Sequence, residues 1–254
     1  MLALLRGPER RNEAPQGETL CSTMDVVIVG GPHSGVGKTL AAERALQALA
    51  GLNFGAIKLT VADGEFDQPH DRGVCGRGAS CGVCETVSTA LPARIVTAQG
   101  AIMKPNTDTR RLADAGAVAV AWVIALRANA PVAVDKALDW LRTNGAHGAV
   151  IEGTTAIEWL RPAASVLVAT DPGKRWKRVA VQHIARFDVV LLNLIRGLHG
   201  EISPPPAYQA ADPIRCDLSD TDDEGTRAYQ RALRALCASG DGALAAKRGA
   251  SPRT

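Results

Sequence analysis

Asp25-Val26-Val27-Ile28-Val29-Gly30-Gly31-Pro32-His33-Ser34-Gly35-Val36-Gly37-Lys38-Thr39 is the stretch that decides the fold. Its apolar opening, Asp25–Val29, is bounded by Gly30-Gly31 and reads as a buried strand. A helix is predicted over Thr39–Ala50, with Ala42, Leu46 and Leu49 on one face. A glycine-rich turn between a strand and a helix is the setting in which backbone N–H groups cradle phosphate. Gly35 and Gly37 let those groups turn inward, and the helix N-terminus adds partial positive charge. Lys38 is placed to reach β- and γ-phosphates, and the Thr39 hydroxyl to ligate Mg²⁺. The spacing G-x4-GK[ST] is not met, because position 32 is proline. Gly31 gives a loop one residue longer, G-x5-GKT. The candidate nucleotide-binding set is therefore Gly31, Pro32, His33, Ser34, Gly35, Val36, Gly37, Lys38, Thr39 and Leu40. His33 is either a nucleotide contact or a solvated loop side chain.

Outward from this loop, apolar runs alternate with helical patterns. Strands are predicted at Phe54–Thr60, Arg94–Ala98, Ala117–Ala125, Ala149–Ile151, Ser165–Ala169 and Val189–Leu192. Helices are predicted at Asp108–Ala115, Val132–Thr143, Lys177–Ala185 and Arg227–Ala238. Such alternation implies right-handed βαβ units and a doubly wound, mostly parallel α/β sheet of about six or seven strands. Composition agrees. Hydrophobic residues make up 46% of the 254, but aromatics only 4%, so the core must be aliphatic, as in strands covered on both faces.

The ends read differently. Residues 1–23 are polar and aperiodic, and read as a disordered leader; Met24, directly before the first strand, is a candidate natural start. From Ser239 the chain reads as a frayed tail. This leaves one domain over 24–238, with a cysteine-rich loop at 70–86. The net charge of +3, from 29 Lys+Arg against 26 Asp+Glu, argues against a nucleic-acid partner. No run approaches the roughly 18–20 apolar residues of a membrane span, and the opening apolar stretch is too short for a signal sequence, so the expected location is cytoplasmic.

The G-x5-GKT form resembles the SIMIBI class of phosphate-loop NTPases, which includes the dethiobiotin synthetases and relatives of the nitrogenase iron protein. The class places an acid after a later strand; the resemblance puts Glu152, at the end of Val150-Ile151-Glu152-Gly153, in that role, holding Mg²⁺ through a water. Two further segments, Gly55-Ala56-Ile57-Lys58 and Asp108-Thr109-Arg110-Arg111-Leu112-Ala113-Asp114-Ala115-Gly116-Ala117, look like the molybdopterin-guanine dinucleotide biosynthesis protein B family. The likeness covers roughly residues 25–160. Leu59 stands where that family has His, and the cysteine-rich loop is outside its pattern. The resemblance implies GTP or ATP hydrolysis with Mg²⁺, in an accessory role in cofactor or metallocluster biosynthesis, molybdenum cofactor included, with a partner protein. It also implies a homodimer. Lys58 equally resembles the lysine of dethiobiotin synthetase that contacts phosphate and substrate, which implies a kinase or ligase instead. Asp63 and Asp67 follow it, as candidates for contacting Mg²⁺ or activating water, or as solvated loop acids. Asn193, in Val189-Val190-Leu191-Leu192-Asn193, resembles the first residue of an NKxD-type base-reading motif whose Lys and Asp are missing here; the alternative is a cap or turn.

Cys75, Cys81 and Cys84 form a C-x5-C-x2-C array among glycines, preceded by His70. Three thiolates and His70 suit tetrahedral zinc. Three thiolates alone suit an iron–sulfur cluster, or half of a site shared across a dimer. A redox pair at Cys81 and Cys84, or idle thiols, are the other readings. A metal here would make the protein a nucleotide-binding metal carrier or sensor, a third functional class. Cys237 is expected in the core, and Cys21 and Cys216 in loops.

Overall fold

The computed structural model describes residues 24–62, 86–170, 178–194 and 212–248. Asp63, Asp67, His70, Cys75, Cys81 and Cys84, and the leader, lie outside them. The described chain is an α/β fold. Its strands are β1 (Asp25–Gly30), β2 (Phe54–Ala62), β3 (Ala93–Val96), β4 (Val120–Leu126), β5 (Gly148–Glu152), β6 (Ala164–Ala169), β7 (Val189–Asn193) and β8 (Ile214–Cys216). The helices are α1 (Lys38–Ala48), α2 (Gln99–Ile102), α3 (Asp108–Asp114), α4 (Ala130–Thr143), α5 (Arg178–Gln182) and α6 (Glu224–Arg248).

These strands form one eight-stranded sheet in the order β3-β4-β2-β5-β1-β6-β7-β8. Every pairing is parallel except β3 with β4. The sequence expectation of six or seven strands is thus corrected to eight. The extra strand is β8, three residues long, which pairs through Ile214–Cys216 with Leu191–Asn193. Cys216, expected in a loop, is fully buried on it. Helix α6 also runs on to Arg248, past the tail predicted from Ser239.

Alternation along the strands sorts side chains into two layers. Val26 and Ile28 of β1 join Ile57, Leu59, Val123, Leu138 and Leu141 on the α4 side. Val27 and Val29 join Ala42, Leu46, Ala56, Val166, Leu191, Tyr229 and Leu233 on the side of α1, α3 and α6. Central strands are buried on both faces, β5 and β6 along their whole lengths, which is why they read as unbroken apolar runs. Tyr229 shows how tightly α6 closes on α1. It is fully buried, and its hydroxyl donates to the Ala41 carbonyl at 3.0 Å.

The topology sets the position of the site. In β1 and β5, Val29 lies beside Glu152; in β2 and β5, Lys58 lies beside Glu152. The carboxyl ends of these neighbouring strands therefore open together at one edge of the sheet, where a doubly wound fold assembles ligand groups.

Candidate functional site

The loop after β1 turns twice through left-handed glycines, Gly35 at φ 81° and Gly37 at φ 97°. Gly37 is the residue before α1, and a side chain there would overlap the Asn193 amide. At Gly31 a Cβ would meet Val36 Cγ2 at 2.7 Å and the Val168 carbonyl at 3.0 Å. Glycine is thus needed at 37 for its conformation and at 31 for close approach. Gly31 is fixed through its backbone: its N–H donates to Thr154 Oγ1 at 2.9 Å, and that hydroxyl donates to the Gly31 carbonyl at 2.8 Å. Thr154 begins the 3₁₀ turn Thr154–Glu158 directly after β5, so one strand end holds both the loop and Glu152.

Helix α1 has no side-chain cap at Gly37 and no acid in its first turn. The carboxylate at its first turn comes from another helix: Asp108 of α3 accepts from the Thr39 hydroxyl. Helix α3, by contrast, is capped by Thr107, whose hydroxyl accepts from Arg110 N–H, and carries Asp108 in its first turn.

Four side chains meet beside the loop. Lys58 Nζ lies 2.5 Å from Glu152 Oε1 and 2.6 Å from Asp108 Oδ2. Thr39 Oγ1 donates to Asp108 Oδ1 at 3.1 Å. Lys58 is 8% exposed and Glu152 2%. Glu152 Oε2 is buried and has no hydrogen-bond partner among the described residues. Burial opposes ionisation of Asp108, but the Lys58 ammonium, the Thr39 hydroxyl and Arg111 outweigh it and hold its pKa below the ordinary value. One turn further along both helices, Arg111 pairs with Glu43 through Nε–Oε1 at 2.5 Å and Nη2–Oε2 at 3.0 Å. Burial pulls the Arg111 pKa down, yet Glu43, with Asp108 and Glu152 beyond it, raises it overall. Helices α1 and α3 are thus joined by two rungs, Thr39–Asp108 and Glu43–Arg111.

The remaining loop residues fall as follows. Lys38 Nζ donates to the His33 carbonyl at 2.6 Å. His33 Nδ1 sits 2.9 Å from the Ser34 carbonyl, and its Nε2 is buried with no partner among the described residues. Pro32 and Val36 are buried, Ser34 is half-buried and Gly35 exposed. Leu40 packs against the core. Asn193 is buried at the end of β7; its amide donates to the Val36 carbonyl at 3.1 Å and its Oδ1 accepts from Leu218 N–H at 3.2 Å. Arg44 of α1 holds the same Leu218 through its carbonyl, at 3.1 and 3.0 Å. Asn193 therefore ties the glycine-rich loop to the segment after β8.

The structure brings together Thr39, Lys58 and Glu152 from the residues expected by sequence. It adds Asp108, which the sequence reading placed at a helix start without a role. Its partners Thr39 and Lys58 are distant along the chain, so only the fold reveals it. Among the described residues, no group of three or more His, Cys, Asp or Glu is placed to hold a metal. The expected zinc or iron–sulfur ligands all lie outside those residues. No helix among the described residues is long and apolar enough to cross a membrane. Compared with family models, curated proteins and solved structures, the chain gives no match.

Proposed function

We propose that this protein binds a nucleoside triphosphate with Mg²⁺ on the Gly31–Leu40 loop and hydrolyses it. The observation that carries the reading is the second oxygen of Glu152, buried and unpartnered, on a carboxylate whose Lys58 partner also pairs with Asp108, the acceptor of the Thr39 hydroxyl. A buried carboxylate oxygen without a donor is costly unless a ligand completes it. Magnesium fits this donor set. It keeps several waters and takes one or two carboxylates together with substrate phosphates, so a cluster of three protein acids is not required. Thr39, Glu152 and Asp108 would hold it, and when bound it would neutralise charge on the phosphate oxygens.

The chain's own groups do the rest. The N–H groups at the start of α1 and the left-handed turns at Gly35 and Gly37 offer donors to phosphate. Lys38 exchanges its bond to the His33 carbonyl for the β- and γ-phosphates. Asp108 orients Thr39. The Thr154 clamp on Gly31 and the Asn193 clamp on Val36 fix the loop in place, so little ordering remains to be done on binding. By its resemblance the protein serves in cofactor or metallocluster biosynthesis, with GTP or ATP as the nucleotide.

A second reading, phosphoryl transfer to a small molecule beside Lys58, is favoured by the position of Lys58 at the same strand edge as the loop. Product analysis decides between them. Incubation with Mg²⁺ and ATP or GTP gives only diphosphate and inorganic phosphate for the hydrolase. Turnover that strictly requires an added acceptor supports the transferase, and no nucleotide binding at all overturns both.

A further inference from the structure

Lys58 occupies an unusual position for a group expected to meet phosphate. Its ammonium is already spanned between Glu152 Oε1 and Asp108 Oδ2, at 2.5 and 2.6 Å. Of those two acids, Asp108 also accepts from the Thr39 hydroxyl on which the proposed metal would sit, so Lys58 ties Glu152 to that group. Glu152 is 2% exposed, and a carboxylate that deep needs a counter-charge. Lys58 supplies it through Oε1 alone and leaves Oε2 open. Arg111 is engaged bidentately by Glu43, and its charge also acts on Asp108 and Glu152 from further away.

Resting on the nucleotide reading above, we propose that Lys58 is a tethered counter-cation that keeps the divalent-metal position closed until nucleotide arrives. A divalent ion placed on the same two carboxylates as an ammonium meets like-charge repulsion, screened least on the buried Glu152 side and more on the side of Asp108, whose side chain is 43% exposed. The phosphates of a nucleotide carry enough negative charge to take up both cations. Lys58 then has a new partner, and Glu152 and Asp108 are released to the metal. Metal binding thereby becomes conditional on nucleotide, which prevents a divalent ion from occupying the site alone. The device needs Lys58 to be charged and long enough to bridge both acids. It does not need Lys58 to touch the reacting atoms, so it assigns the residue a gating role independent of any phosphoryl acceptor.

The test is Mn²⁺ affinity without nucleotide, followed by the paramagnetic resonance signal of the free ion, for the full chain. Wild type should bind Mn²⁺ weakly. Lys58→Gln should bind it roughly 10–100-fold more tightly, the usual scale for changing a group beside metal ligands. Lys58→Arg, which keeps the charge, should stay close to wild type. A Lys58→Gln affinity equal to that of wild type overturns the proposal. If that variant fails to fold, ¹H–¹⁵N spectra of the Lys58 ammonium in wild type serve instead. Its signal should be unmoved by Mg²⁺ alone and should shift when Mg²⁺ and a non-hydrolysable triphosphate are added together. A shift with Mg²⁺ alone overturns the gate. Nucleotide titration of the wild type runs alongside: binding without the Mn²⁺ effect removes only the gate, whereas absence of nucleotide binding removes the reading beneath it.

Discussion

The Asn193 side-chain amide donates to the Val36 carbonyl at 3.1 Å, across 157 residues of sequence, and so fastens the last residue of β7 to the glycine-rich loop after β1. The same side chain accepts from Leu218 N–H. Both ends of the amide therefore serve buried backbone groups, and a buried donor or acceptor left unsatisfied costs about 1–3 kcal/mol.

Asn193→Ala removes both bonds at once. It should lower unfolding free energy by about 2–4 kcal/mol, the penalty for two orphaned backbone groups less partial solvation. Urea denaturation followed by circular dichroism measures it. Asn193→Asp, which turns a carboxylate oxygen toward the Val36 carbonyl and buries a charge, should destabilise at least as much as the alanine variant. Wild-type stability in the alanine variant would show that the clamp contributes nothing.

Legibility in the sequence follows distance along the chain. The strand–loop–helix unit at Asp25–Ala48 is a local pattern, and the sequence placed it to within a residue or two. Strands β5, β6 and β7 were readable because burial on both faces leaves continuous apolar runs. Strand β8 was not, because three residues with one buried side chain carry no periodicity. The end of α6 was missed because Ser239 and Gly240 are turn-forming residues, yet the helix continues through them. In the site, Lys58 and Glu152 were legible as strand-end residues. Asp108 is legible as a helix start and as the first residue of the family-like segment Asp108–Ala117, but its role is not, since what defines that role is contact with Thr39, 69 residues away.

The depressed pKa of Asp108 makes a prediction about acid. A carboxyl whose folded pKa lies below its unfolded value adds stability that is fully present above the unfolded pKa. That stability is lost as pH falls through the folded value. Asp108→Asn should therefore lower Tm at neutral pH, and the gap to wild type should close as pH drops below about 4. A gap that stays constant, or widens in acid, contradicts the pairing of Asp108 with Lys58.

Cys216 should be chemically silent in the folded chain. It is fully buried, and burial, reinforced by Asp223 and Asp217, pushes its thiol up to about 12. Thiolate is the reactive form, so alkylation at neutral pH should leave Cys216 unmodified. Peptide mass spectrometry after brief iodoacetamide treatment reads this site separately from the other cysteines. Rapid labelling of Cys216 under native conditions would show that β8 is not docked as described; labelling only after denaturant is added is the expected result.

The proposed function stands on nucleotide binding at the loop after β1, through Lys38 beside the Thr39–Asp108–Lys58–Glu152 cluster. Titration calorimetry with ATP and GTP in the presence of Mg²⁺, on wild type and Lys38→Ala, tests it most directly. Wild type should bind one nucleotide per chain saturably, and the variant at least roughly tenfold more weakly, with its circular dichroism spectrum unchanged. Wild type that binds neither nucleotide, or a folded variant that binds as tightly as wild type, would contradict it.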